Sequence, residues 1–217
     1  MTLSVVSRRA FTAGLAVAAG GLHGCAEVTD LYGFRLDIQL LLPDGVINVV
    51  AVRRVKEVRY HDWVPTANRS YFPIRGQAIP VDLAGRTLFF TMCGYTLEQE
   101  GESNRTLRGS WLPTGWRSSP YAWRDAPESL MVELKPLEIP AMVVFDNPAI
   151  VDTIRVVMPS ELPQEFPGVR IGRCTVRPSR DKPTMTDVKQ RLPWLEDDRS
   201  KPELGDSVYA DRYMFGL

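Results

Sequence analysis

Apolar and polar residues alternate through the first half of the chain. Phe34, Leu36, Ile38, Leu40 and Leu42 are separated by Arg35, Asp37, Gln39 and Leu41, the period of two that turns one strand face to a core and the other to water. Pro43-Asp44-Gly45 supplies a turn, with Pro presetting φ and Gly taking a positive φ. Strand character resumes from Val46 to Tyr60. The alternation slips at Arg53-Arg54, which predicts a bulge or bend there. Tyr71 to Leu83 and Arg86 to Cys93 read as the next strands, joined at Ala84-Gly85 by a tight hairpin turn.

From Gly94 to Ser129 the texture changes to Gly, Pro and polar residues without a period, a long excursion of the kind that is functional or disordered in compact domains. Strands return at Leu130 to Leu134, Ala141 to Phe145, Thr153 to Met158 and Val169 to Val176. Ser160-Glu161-Leu162 predicts one helical turn stopped by Pro163, and Asp187 to Leu192 a second turn before Pro193. The 17 prolines leave no room for long helices. The fold class expected is mainly β, an antiparallel β-sandwich or open barrel with short helical turns. Residues 32–195 read as one domain, and residues 196–217, charged and then aromatic, as a loose tail.

The N-terminus follows a different rule. Arg8-Arg9 precede an uncharged, weakly apolar run rich in Gly and Ala, the positive-then-apolar layout of an export signal. Arg8 and Arg9 with Phe11 resemble the twin-arginine type. The run ends in Leu22-His23-Gly24-Cys25, which resembles the cleavage box of bacterial lipoproteins, with His23 an unusual middle residue. The expectation is cleavage before Cys25, lipidation of Cys25, residues 26–31 as a tether, and a protein held on the periplasmic face of the inner or outer membrane. One acyl chain anchors only marginally, and such a cysteine carries several.

Composition narrows the remainder. The chain has 26 basic and 26 acidic residues, so no electrostatic footprint for nucleic acid is present. The longest later apolar stretch, Thr87 to Leu97, is shorter than a bilayer span. Beyond Cys25 only Cys93 and Cys174 remain. An oxidising compartment allows a bridge between them, and two buried thiols are the other reading.

The hairpin Arg75-Gly76-Gln77-Ala78-Ile79-Pro80-Val81-Asp82-Leu83 with Leu88-Phe89-Phe90, the run Ile139 to Phe145, Pro159-Ser160-Glu161-Leu162, Phe166 to Arg170, and Lys189 to Leu195 together resemble a family of uncharacterised bacterial exported, lipoprotein-like proteins. The resemblance spans about residues 32 to 195. It implies a single exported domain and carries over no functional residue.

No catalytic constellation is legible. Past the leader the only histidine is His61, and its neighbour Asp62 would face the other side of a strand. No nucleophile elbow, phosphate loop, dinucleotide fingerprint or Cys-x-x-Cys occurs, and no cofactor or metal is implied. Glu98, Glu100 and Glu102 share one strand face, and Asp197-Asp198 sit in the charged tail; both sets read as solvated edges. Trp111, Trp116, Tyr121 and Trp123, interleaved with Arg117 and Arg124, are either a binding patch for a protein or glycan or a satellite core pinning the loop. The leading expectation is a non-enzymatic, lipid-anchored envelope protein that binds or supports a partner. The rival is a periplasmic hydrolase using carboxylates around the 94–129 loop.

Overall fold

The computed structural model describes residues 26–60, 70–95, 107–110, 121, 123–196 and 212–216. They form a mainly β protein with two antiparallel sheets and a few single-turn helices, a β-sandwich and not a closed barrel. Eleven strands are described: β1 Ala26–Leu42, β2 Gly45–Tyr60, β3 Ser70–Tyr71, β4 Ile74–Arg75, β5 Ile79–Leu83, β6 Arg86–Tyr95, β7 Leu107–Ser110, β8 Val132–Glu133, β9 Pro140–Phe145, β10 Ile154–Val157 and β11 Arg170–Pro178. The α-helical turns are α1 Leu162–Glu165 and α2 Val188–Arg191.

The chain divides into two compact units, so the span expected as one domain is shared between them. The smaller comprises, among described residues, 26–30, 56–60 and 70–73. In it the end of β2 pairs with β3, Val58 opposite Tyr71, and Lys56 reaches Asp30 at 3.4 Å. Residues 26–31, expected as a tether, open β1 instead.

The larger unit holds both sheets. In the first, β2, β1, β11 and β8 lie side by side, with β4 also on β2. Phe34, Leu36, Ile38 and Leu40 form the buried row of β1, the face that alternation assigned to the core. Opposite them on β11 are Val176 and Cys174, both buried. The bend expected at Arg53-Arg54 does not occur. Val49, Ala51, Arg53 and Val55 are all buried, so β2 keeps its period of two and simply turns an arginine inward. The irregularity falls on β11, where Gly172 and Arg173 stand opposite the single residue Gln39 of β1 and the register shifts.

The second sheet runs β10-β9-β6-β5, with β7 on β6. Its β5–β6 hairpin turns at Ala84 and Gly85, with φ of 49° and 78°. Two positive values make the tight turn whose twist matches the strands. All of β9 is buried, and so is β6 from Leu88 onward. A sheet buried on both faces needs cover on both. Leu88, Phe90, Met142 and Val144 lie on one face and belong to the layer between the sheets. Phe89, Val143, Phe145 and Ile154 lie on the other, under a third layer made by the C-terminal residues.

That third layer contains α2, the 3-10 turn Pro193–Glu196 and the 3-10 turn Arg212–Phe215. The Phe215 ring meets Phe89 and Trp194 edge-to-face, with centroids 6.0 and 5.7 Å away, the favoured geometry for aromatic pairs. The Ala78 amide donates to the Phe215 carbonyl at 3.1 Å. Gly216, at φ 78°, passes so close to the Gly76 carbonyl that any side chain there would collide with it. The expectation of a loose tail from 196 therefore fails at its end: Met214 and Phe215 are core residues, while 197–211 lie outside the described residues.

One further expectation is corrected, and one open alternative is decided. Pro163 does not stop a helix but sits in the first turn of α1, where its missing N–H costs nothing. Cys93 and Cys174 are both buried thiols, not a bridge. Cys93 belongs to the cluster on the far face of the second sheet, whereas Cys174 is on β11 of the first. Packed sheets lie ~10 Å apart, beyond the ~7 Å Cα separation a disulfide spans. Burial also raises the Cys174 thiol to about 12, which keeps it protonated and unreactive.

Phe215→Ala should remove an aromatic keystone, costing about 3–5 kcal/mol and lowering Tm on the order of 10 °C. A melt followed by circular dichroism checks this; an unchanged Tm would mean the third layer contributes nothing.

Candidate functional site

Three features concentrate polar chemistry in the larger unit. The first is buried. Arg53 has no exposed surface, and its guanidinium donates from Nη2 to the Thr91 carbonyl of β6 at 2.7 Å. It therefore crosses from the first sheet to the second. Loss of hydration lowers its pKa to about 10, with Cys93 nearby acting in the opposite sense, so it remains a cation at neutral pH. Thr91 in turn donates to the Ala141 carbonyl at 3.0 Å. Tyr95 uses its hydroxyl twice, donating to the Val157 carbonyl at 2.7 Å and accepting from the Met142 amide at 2.9 Å. Burial pushes its pKa well above the ordinary phenol value. These groups are occupied in joining strands, and none faces an opening.

The second is a cavity of about 330 Å³ bounded by the β5–β6 hairpin, the end of β9 and α2. Phe89 and Phe145 line it, with Arg86, Thr87, Asp146 and Arg191 at its walls. Arg155 on β10 holds Glu165 at 2.8 Å and Asp146 at 3.1 Å, and Arg86 holds Glu165 at 2.6 Å. The Arg86 guanidinium also stacks over Phe166, 5.4 Å from the ring centre. Arg191 joins Asp82 at 2.6 Å and Asp187 at 2.9 Å. A hydrogen bond from Arg155 is the main cause that pulls the Glu165 carboxyl down to about 2; burial opposes it, and a hydrogen bond from Arg86 adds to the lowering. Asp82 is lowered chiefly by its bond from Arg191. Carboxylates held ionised in this way serve as ion-pair partners; a general acid near neutral pH needs the opposite shift.

The third is the outer face of the first sheet, where a shallow groove of about 450 Å³ is lined by Arg35, Asp37, Gln39, Asn48, Val50, Met131, Arg173, Thr175 and Arg177. Alternation places these opposite the buried row: Arg35 pairs in register with Arg177, and Asp37 with Thr175. Asp37 lies 2.9 Å from Arg35 and 3.9 Å from Arg177. Glu133 of β8 lies 3.5 Å from Arg173.

Among the sequence candidates, Arg8, Arg9, Phe11 and Cys25 lie outside the described residues, as do Trp111, Trp116, Arg117, His61 and the Glu98, Glu100 and Glu102 set. Of the aromatic patch, Trp123 is buried, Tyr121 is exposed, and Arg124 is exposed at 3.4 Å from Asp125. Trp123 is thus a packing residue, and the described part of the patch is not a continuous aromatic surface. The β11 arginines were missed. Their sequence signal is the alternation of Arg173, Thr175 and Arg177 with Cys174 and Val176. Among the described residues, no group of three or more His, Cys, Asp or Glu could hold a metal ion. No described helix is long and apolar enough to cross a membrane. Comparison with family models, curated proteins and solved structures finds no match to the chain.

Two outcomes follow from this geometry. Because the folded Glu165 pKa lies below its unfolded value, its stabilising contribution is complete above about pH 4.5 and is lost as pH falls toward 2. Glu165→Gln should therefore flatten the acid side of a urea-midpoint-versus-pH curve, removing about 1–2 kcal/mol after allowance for solvent screening; curves that stay parallel through that window would refute the pairing. Trp123→Ala should cost about 3 kcal/mol in stability, measured by urea unfolding, whereas a surface binding residue would leave the midpoint in place.

Proposed function

We propose that the chain is an exported, lipid-anchored envelope protein whose β-sandwich binds or supports a partner rather than catalysing a reaction. The reading rests first on Arg8-Arg9 with Phe11, the weak apolar run and Cys25, which have the layout of a leader ending at an acylated cysteine. That leader pattern is the observation that carries the anchor reading.

The binding role, in preference to catalysis, is supported by the state of the acidic groups. Glu165 and Asp82 at the cavity are depressed and tied to arginines. The larger groove, on the first sheet, is a polar surface with Arg, Asn, Gln and Thr side chains, suited to contact more than to proton transfer. Envelope proteins of the uncharacterised exported family that the strand motifs resemble would share this plan.

The anchor is tested by fractionating cells that express the intact chain and by measuring the mass of the mature protein. The wild type is expected in the membrane fraction, starting at Cys25 and carrying acyl mass. Cys25→Ala should move to the soluble fraction or remain an unprocessed precursor. Wild-type protein found in the cytosol with Met1-Thr2-Leu3 attached and no acyl mass would overturn the proposal.

A further inference from the structure

We infer that the outer face of the first sheet is a surface that docks on an anionic lipid bilayer, with Arg35 and Arg177 taking phosphate-bearing headgroups. The inference rests on the envelope reading only for its biological setting; its physical argument comes from the face itself.

The face is built against its own stability. Arg35 and Arg177 are direct cross-strand neighbours, and like charges so placed repel. A single carboxylate, Asp37, lies between them, close to Arg35 and 3.9 Å from Arg177. Arg173 has Glu133, and Arg170 stands in register with Leu41. Four arginines thus meet three carboxylates among the described residues, Asp37, Glu133 and Asp181, the last acting on Arg35. The chain as a whole is neutral, so this excess is a local asymmetry. At the cavity end the balance reverses, with Asp82, Asp146, Glu165 and Asp187 around Arg86, Arg155 and Arg191.

Charge alone would suit any polyanion. The apolar content selects the bilayer. Val46 and Met131 are more than half exposed, at 54% and 52%, and Leu41 and Val50 are also exposed. By the strand period Leu41, Val46 and Val50 point to the same side as the arginines. Gly172 leaves the space over which Leu41 and Gln39 lie. Short aliphatic side chains interleaved with guanidinium groups match an interface where acyl carbons and phosphates lie within a few ångströms of each other. A soluble acidic peptide would leave the aliphatic side chains uncovered, and none of the groove's lining residues is aromatic to stack on a sugar.

The test is co-sedimentation of the full chain carrying Cys25→Ser, so that no acyl group contributes, with vesicles of equal parts phosphatidylglycerol and phosphatidylcholine, or of phosphatidylcholine alone. Binding is expected to the anionic vesicles and to weaken with salt. The Arg35→Gln/Arg177→Gln double variant should bind about twenty-five-fold more weakly, on the order of a fivefold loss per interfacial arginine, with a Tm no lower than the parent's. Lys182→Gln/Lys189→Gln, which removes two exposed charges from outside the groove, should bind like the parent. Every protein retains the same leader, so the differences between variants read the sheet face. Equal binding by parent and Arg35/Arg177 variant would overturn the inference. So would capture of a polyglutamate peptide without vesicle binding, which would assign the face to an acidic protein. Full displacement by free inorganic phosphate would also overturn it, leaving a small-anion pocket. The vesicle assay does not depend on acylation, so its failure and failure of the Cys25 fractionation are separate results.

Discussion

The structure depends on covering both faces of its second sheet. A two-layer sandwich ordinarily buries one face of each sheet and leaves the other to water. Here β6 and β9 are apolar on both sides, and exposing either side would place Phe89, Val143 and Phe145 in solvent. The chain resolves this with its own last residues, folding α2, Pro193–Glu196 and Arg212–Phe215 over that face. Residues just before α2 fix its position. The Thr184 amide donates to the Val52 carbonyl at 2.9 Å, the Gln77 amide donates to the Thr184 carbonyl at 3.1 Å, and the Thr186 amide donates to Gln77 Oε1 at 2.6 Å. One short segment is thereby bonded to the first sheet and to the approach to the second.

Arginine has three distinct uses here, and burial separates them. Arg53 spans the two sheets, its charge retained although desolvation opposes it; a buried cation of this kind specifies an arrangement more than it stabilises one. Arg86, Arg155 and Arg191 sit at partly exposed rims and clamp carboxylates from different elements. Each such pair contributes little alone, but a shared network fixes the hairpin, β10, α1 and α2 at one end of the sandwich. The arginines of β1 and β11 pair only loosely across strands, Arg177 with Asp37 at 3.9 Å and Arg173 with Glu133 at 3.5 Å. They stand on an open sheet face with fewer carboxylates than guanidinium groups.

Much of this was legible where local pattern and tertiary environment agree. The inward row of β1 and the Ala84-Gly85 hairpin follow from period and turn chemistry alone; the Pro43-Asp44 turn also forms, but Gly45 opens β2 without the positive φ expected of it. Legibility ended where a residue served an unusual environment. Arg53 looked like a break in β2 because alternation assumes that a charge faces water, yet the period was intact. Pro163 looked like a stop because the sequence did not reveal on which side of it the helical turn begins. Phe215 looked like part of a tail because its partners Phe89 and Phe145 are distant along the chain. The face with Arg35 and Arg177 was half visible: β1 showed its polar row, but which strand lies beside it depends on a pairing that joins opposite ends of the domain.

The docked C-terminus also sets an order of events in synthesis. Residues 212–215 complete a layer begun by β5, β6 and β9, which come earlier in the chain. Until Phe215 clears the ribosome, a broad aromatic surface has no cover, and the nascent chain can be at most a partly assembled sandwich. The core therefore closes only once residues 212–216 are available, which leaves that aromatic face open to chaperones in the interval and makes this short segment, rather than any nearer loop, the point at which folding is committed.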